Sequence, residues 1–143
     1  LLEEVRDLEL ARVLSVPKEM HTKRDELDNI VRDLYGRLFR NRRALKLIDR
    51  CAVDHPELAA VWFEQGRYGQ VALLASYLEK RIAAGKVRAV PNVQLAARLV
   101  LETIALWAIH MPWDPSPRPF SEDEVESAVV DMVVHAYVKE ESR

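Results

Sequence analysis

Cys51 and His55 stand four residues apart, a spacing that places two side chains on one helix face. A thiol beside an imidazole can form a nucleophilic pair or half of a metal site. The plainer reading is that Cys51 packs as a small hydrophobe and His55 caps the helix begun by Pro56, and that reading is preferred. His21, His110 and His135 show no ligand spacing with one another. There is no Gly-rich phosphate loop, no HExxH and no GxSxG. No catalytic residue, metal site or cofactor is assigned, and the chain is not read as an enzyme.

A second constellation is basic: Arg37, Arg40, Arg42, Arg43, Lys46 and Arg50 fall in "YGRLFRNRRALKLIDR". Such a run can touch phosphate. Asp33 and Asp49 lie among the cations and aromatic residues are few, so a solvated helix face is the better account. The third is "WFEQGRYGQ", where Gly66 and Gly69 sit inside a helical pattern at a cost of up to about 1 kcal/mol each against alanine. Close packing or a slight kink explains them as well as room for a ligand does. Around them stand Trp62, Phe63, Tyr68, Gln70 and Tyr77, the aromatic walls and sparse polar groups of a small-molecule pocket. The same residues could equally be core.

Helices must position these groups. "LLEEVRDLELARVL" carries Leu1, Val5 and Leu8 on one stripe and ends before Pro17. Thr22 or Asp25 can cap the next helix, whose apolar face is Leu27, Ile30, Val31, Leu34, Tyr35 and Leu38. Asn41 is a candidate cap for a shorter helix with Leu45 and Ile48 inward. Pro56 suits a first helical position, with Glu57 favourable in the first turn. No proline then intervenes before Ala84, about 28 residues or roughly 42 Å, so this helix is expected to be the central element. Gly85 fits a position needing positive φ after a helix, and Asn92 fits the next N-cap.

The helix after Asn92 is so apolar that only Arg98 and Glu102 carry charge before His110. "MPWDPSPRPF" cannot be helical throughout. In "FSEDEV", Ser121 and Glu124 make a capping box, and Phe120 with Val125 a hydrophobic staple. The last helix carries valines on both sides. The apolar surplus on the last two helices suggests a subunit interface, most economically a two-fold four-helix bundle. The fold class is all-α, with about six helices and no internal repeat.

Bulk properties narrow the classes. Hydrophobic residues make up 49% and charged residues 31%, which excludes a disordered chain. The net charge of −2 gives no reason to expect nucleic acid or a membrane surface as partner. One cysteine excludes an intrachain disulfide framework and fits a reducing compartment, so a cytoplasmic location is expected. No apolar run reaches the roughly 18 residues of a membrane span, and the acidic start does not resemble a signal peptide. The chain is read as a fragment trimmed at its N-terminus.

The stretch "HPELAAVWFEQGRYGQVALLASYLEKRIAAGKVRAVPNVQLAARLVLETIALWAI" resembles the C-terminal regulatory half of TetR/AcrR-family transcriptional repressors. The matching features are "PEL" at Pro56 to Leu58, a bulky pair followed by "E-x-G-R" at Trp62 to Arg67, "YLE-x-x-I-x-x-G" at Tyr77 to Gly85, and "AAR" at Ala96 to Arg98. The resemblance covers about residues 25–140. It implies a domain at 22–140 that binds a small molecule and forms a homodimer through the last two helices. It also implies a missing N-terminal helix-turn-helix domain, with residues 1–14 ending the helix that joins it. Operator DNA would be met only through that missing part. The expected effector is hydrophobic or aromatic, held by Tyr35, Trp62, Phe63, Gly66, Gln70, Trp107 and His110. The expected interface is Leu99, Thr103, Leu106, Val125, Val129, Met132, Val133 and Ala136. The proline-rich connection is a departure from the family pattern. The rival reading is an all-α interaction module or a small enzyme using Cys51.

Overall fold

The computed structural model describes residues 23–116 and 119–139. The expected connecting helix at 1–14 and a Thr22 cap lie outside these residues. Among those described, the fold is all-α with six helices and no strand, as the periodicities predict. Helix α1 spans Lys23–Arg40 and α2 Arg42–Cys51. A long helix then runs through α3 (Pro56–Ala60), a π-helical segment (Val61–Arg67) and α4 (Tyr68–Ala83) without a break. Helix α5 (Val93–Ala105) continues into a second π segment (Leu106–His110) and a single 3₁₀ turn (Met111–Trp113). Helix α6 covers Glu122–Tyr137.

The centre of the fold is α1, not the long helix. Leu27, Ile30, Val31, Leu34, Tyr35 and Leu38, the whole expected stripe, are each at most 3% exposed. Helices α2, α5 and α6 and the second π segment all pack on α1. Among its described side chains, the long helix buries only Leu74, Ala75, Tyr77 and Leu78 deeply and leaves Tyr68 and Leu73 in solvent. Its apolar stripe is narrower than its length implies, so it forms a wall of the domain.

Helix ends follow their local chemistry in most places. Glu124 N–H donates to Ser121 Oγ at 3.1 Å, and Ser121 N–H donates to Glu124 Oε2 at 2.7 Å, completing the capping box. Asn92 Oδ1 accepts from Leu95 N–H at 2.9 Å. Gly85 has φ 72°, with Lys86 N–H donating to Arg81 O and Gly85 N–H to Ile82 O, the paired bonds of a Schellman ending. Asn41 behaves differently. It makes no cap bond to α2, and its amide instead donates back to the Arg37 carbonyl at 2.9 Å. His55 occupies the N-cap position of α3 without a side-chain bond.

Two ties hold the ends of the bundle. Glu26, 9% exposed, meets Arg81 at 2.5 Å, which joins the start of α1 to the end of α4. Burial, and then the adjoining Glu26 carboxylate, push the Tyr77 phenol well above its usual range. The α4–α5 turn pairs with the end of α6: Val87 and Val138 form an antiparallel bridge, Arg88 N–H donates to Tyr137 O, and Lys139 N–H donates to Lys86 O. The Arg88 guanidinium also lies over the Tyr137 ring and donates to the Ala136 carbonyl.

By length and composition Val93–Trp113 could cross a membrane, more than the sequence reading allowed. In the fold its inner face, Ala97, Ile104 and Ala108, is completely buried against the domain's own core.

The two glycines Gly69 and Gly85 should respond oppositely to alanine. A Cβ at Gly69 meets nothing within 4 Å, and nothing in the structure explains this glycine. Gly69→Ala should therefore stabilise by about 0.5–1 kcal/mol. A Cβ at Gly85 is also unobstructed, but its positive φ makes Gly85→Ala cost about 1 kcal/mol or more. Urea unfolding at matched protein concentration measures both.

Candidate functional site

A cleft of about 50 Å³ opens where the long helix, α2 and the α5 helix face one another. Each π segment contributes to it: Trp62 and Arg67 come from the first, Ile109 and His110 from the second. A π turn carries an extra residue and widens the helix locally, and such turns are frequent at functional sites. Gln70 and Glu102 complete the polar lining, with Asp49 at the α2 side and Leu38 and Leu101 as apolar walls.

The charges here are linked across the cleft. Arg67 Nε donates to Glu102 Oε1 at 2.9 Å, and a second guanidinium nitrogen donates to the same oxygen. Arg98, one turn before Glu102 on α5, stands 3.6 Å from that oxygen as well. These side chains are between 29% and 51% exposed, so each pair contributes on the order of 1 kcal/mol or less to stability. Lys46 Nζ sits 2.8 Å from His110 Nδ1. The ammonium has no lone pair, so Nδ1 accepts and the imidazole is neutral with its proton on Nε2. Burial, and then the Lys46 charge, hold the His110 pKa below its ordinary value. The Trp62 indole nitrogen is buried and has no hydrogen-bond partner among the described residues. Such a donor is costly to leave unmade.

Of the expected effector residues, Trp62, Gln70 and His110 meet in this cleft. Gly66 is adjacent, and a Cβ there would meet Trp62 and the Val61 carbonyl oxygen at an ordinary 3.7 Å. The Phe63 side chain lies outside what the structure describes. Tyr35 is placed elsewhere: it is 2% exposed in the core, and its hydroxyl donates to Glu122 Oε2 at 3.0 Å. Trp107 lies on the far side, in a larger groove of about 320 Å³ between α5 and α6, with Thr103, Phe120, Val129 and Met132. Arg67, Glu102 and Asp49 were not anticipated. Arg67 stands inside the "E-x-G-R" motif, and Glu102 is one of two charges on an otherwise apolar helix, which were the signals available.

Leu99, Leu106 and Met132 of the expected interface are about half exposed, as are Leu95 and Phe120. Thr103 and Ala136 are partly exposed, and the Thr103 hydroxyl donates to Leu99 O. Val125, Val129 and Val133 are 6%, 5% and 2% exposed and belong to the chain's own core. A charge at those valines should destabilise the domain itself, because it would be buried without a partner. Phe120 and Val125 line the α5–α6 groove together, with Phe120 still half in solvent. Cys51 is half-buried and free, His55 is exposed, and no group of three metal-binding side chains occurs among the described residues.

Residues 37–139 match the family described as the AefR-like transcriptional repressor, C-terminal domain. The chain belongs to the TetR family. No curated protein and no solved structure matches it. In TetR terms, the matched region begins within α1 and runs to the end of α6, so it includes the cleft and the exposed α5–α6 face.

His110 should titrate below the usual histidine value of about 6.5, as read by NMR. Lys46→Met should move that value upward by removing a neighbouring positive charge. Because the folded pKa is lowered, the unfolded chain takes up a proton first. Stability should fall as pH drops below about 6.5, and His110→Gln should remove that part of the dependence.

Proposed function

We propose that the chain is the effector-binding and dimerisation part of a TetR-type transcriptional repressor acting in the cytoplasm. On this reading residues 22–140 form the regulatory domain, and residues 1–14 end the helix leading to a helix-turn-helix domain that reads operator DNA. The observation that carries it is the coincidence of the family match with an unpartnered apolar stripe. Leu95 and Leu99 on α5, Leu106 at the start of the second π segment and Met132 on α6 are all exposed in the single chain. A second copy pairing α5 and α6 covers that stripe as a four-helix bundle. Binding of a small molecule in the Trp62–His110 cleft would favour one domain arrangement and shift the population away from the DNA-competent state.

The cleft lies against α5, and α5 also carries the outer stripe. A ligand that changes how the long helix sits on α5 therefore acts directly on an element of the interface. The charged lining argues for a polar group on the effector in addition to the apolar or aromatic body expected from the sequence.

Size-exclusion chromatography with light scattering should give a dimer at micromolar concentrations. The pair Leu99→Asp and Met132→Asp should give a folded monomer. A chain that is monomeric before substitution would favour the rival helical interaction module. In the full-length repressor, Trp62→Ala should leave the dimer intact and abolish effector-driven release of operator DNA.

A further inference from the structure

Beside the cleft are a buried donor without an acceptor and an ion pair with a spare partner. The Trp62 indole N–H is buried and without an acceptor. Arg67 is bound to Glu102 Oε1, and Arg98 waits 3.6 Å from the same oxygen. Around the site three cations, Arg67, Arg98 and Lys46, stand against two carboxylates, Asp49 and Glu102. His110 adds a neutral ring whose Nδ1 is already committed to Lys46.

Resting on the effector-site reading above, we infer that the cleft takes the carboxylate of a short aliphatic acid, which accepts from Trp62 and Arg67 while Glu102 passes to Arg98. The exchange conserves the number of ion pairs. Arg67 trades one carboxylate for another, and Glu102 keeps a guanidinium one helical turn away on its own helix. Trp62 gains the acceptor it lacks. A planar anion can take two parallel N–H donors from a guanidinium, a geometry that a neutral amide or an alcohol does not satisfy. The cleft's 50 Å³ is the space of roughly three to five waters, at about 10–15 Å³ for each. That admits a carboxylate with a few carbons against Leu38 and Leu101, and excludes a nucleotide or a sugar.

The exchange also couples the site to the apolar face. Glu102 and Arg98 are on α5, and Arg67 is on the long helix. Release of Glu102 removes the ion pair that joins those two elements through this side chain. The ligand thus loosens one helix from the other while satisfying every charge.

The test is a titration of the whole 143-residue chain with sodium propionate, read on the indole N–H resonances of its three tryptophans. Propionamide is the neutral control, and Trp62→Phe assigns the Trp62 peak. The expected result is a saturable shift of the Trp62 resonance with propionate, weaker by about tenfold or more with propionamide, while Trp113 stays still. Arg67→Gln should weaken propionate binding about tenfold. Glu102→Gln should tighten it, because Arg67 is freed, whereas a merely structural ion pair would predict weakening. Arg98→Gln should weaken it, because Glu102 loses its second partner. Equal binding of propionamide, no Trp62 shift, or weaker binding by Glu102→Gln each overturns the inference. If 1-propanol shifts the Trp62 resonance and propionate does not, the carboxylate assignment fails and the effector-site reading stands. If propionate binds as expected but Trp62→Ala leaves effector-driven DNA release unchanged, the effector-site reading fails and the carboxylate site stands.

Discussion

Burial of the α1 stripe is the constraint on which the rest of the structure depends. Six large apolar side chains on one helix are removed almost entirely from water. At roughly 1.5–3 kcal/mol for each, that burial supplies on the order of 10 kcal/mol before conformational entropy is charged against it. No single neighbour covers so wide a stripe. Helices α2, α5 and α6 and the second π segment each lie along it, and the long helix packs mainly on α5. The Tyr35 hydroxyl, the one polar tip in the stripe, reaches Glu122 at the start of α6 and so fixes where that helix begins on α1.

Helix α1 keeps a solvent face at Asn29, Arg32 and Arg40, so the packing constraint falls on its apolar side. Both π segments among the described residues line the cleft, and the second also buries Ala108 and Ile109 in the core. The charged groups of the cleft sit in the space those turns create. Their ion pairs are too exposed to contribute much to stability, and for the same reason they can change partners cheaply. The domain therefore separates a rigid apolar centre from an exchangeable polar rim, a division suited to a protein that must hold its fold while answering a ligand.

Much of this was legible in the sequence where the relevant chemistry is local. Ser121 with Glu124, Asn92, and Gly85 each have partners within six residues, and their roles follow from residue type. Asn41 was not legible, because an asparagine between two helices can cap the one ahead or bond back to the one behind. Its backbone, at φ −100° and ψ 10°, decides for the latter. Trp107 was expected among the effector residues from the family resemblance alone. It lies inside a π segment and lines the α5–α6 groove instead. Tyr35 and Glu122 are 87 residues apart, and no periodicity connects them. The cleft was half legible: its aromatic and amide side chains stand in one short segment, whereas Arg67 and Glu102 find each other only through the fold. Function came from the order and spacing of family features, since no single residue here announces its chemistry.

The pairing of Val87 with Val138 sets a limit on how such a chain can vary. Between Ala84 and Val93 the backbone is held at three places: by the Gly85 ending, by the bonds to residues 137–139, and by the Asn92 cap. An inserted residue anywhere between those points would break the bridge to α6 or unseat one of the two helix ends. The connection from Asp114 to Phe120 has no comparable set of anchors among its described residues, although Ser116 N–H bonds to Asp114. Length differences between this chain and related domains should accumulate in the second connection and be excluded from the first. A short loop of unremarkable composition is thereby the part of the sequence with the least freedom to grow.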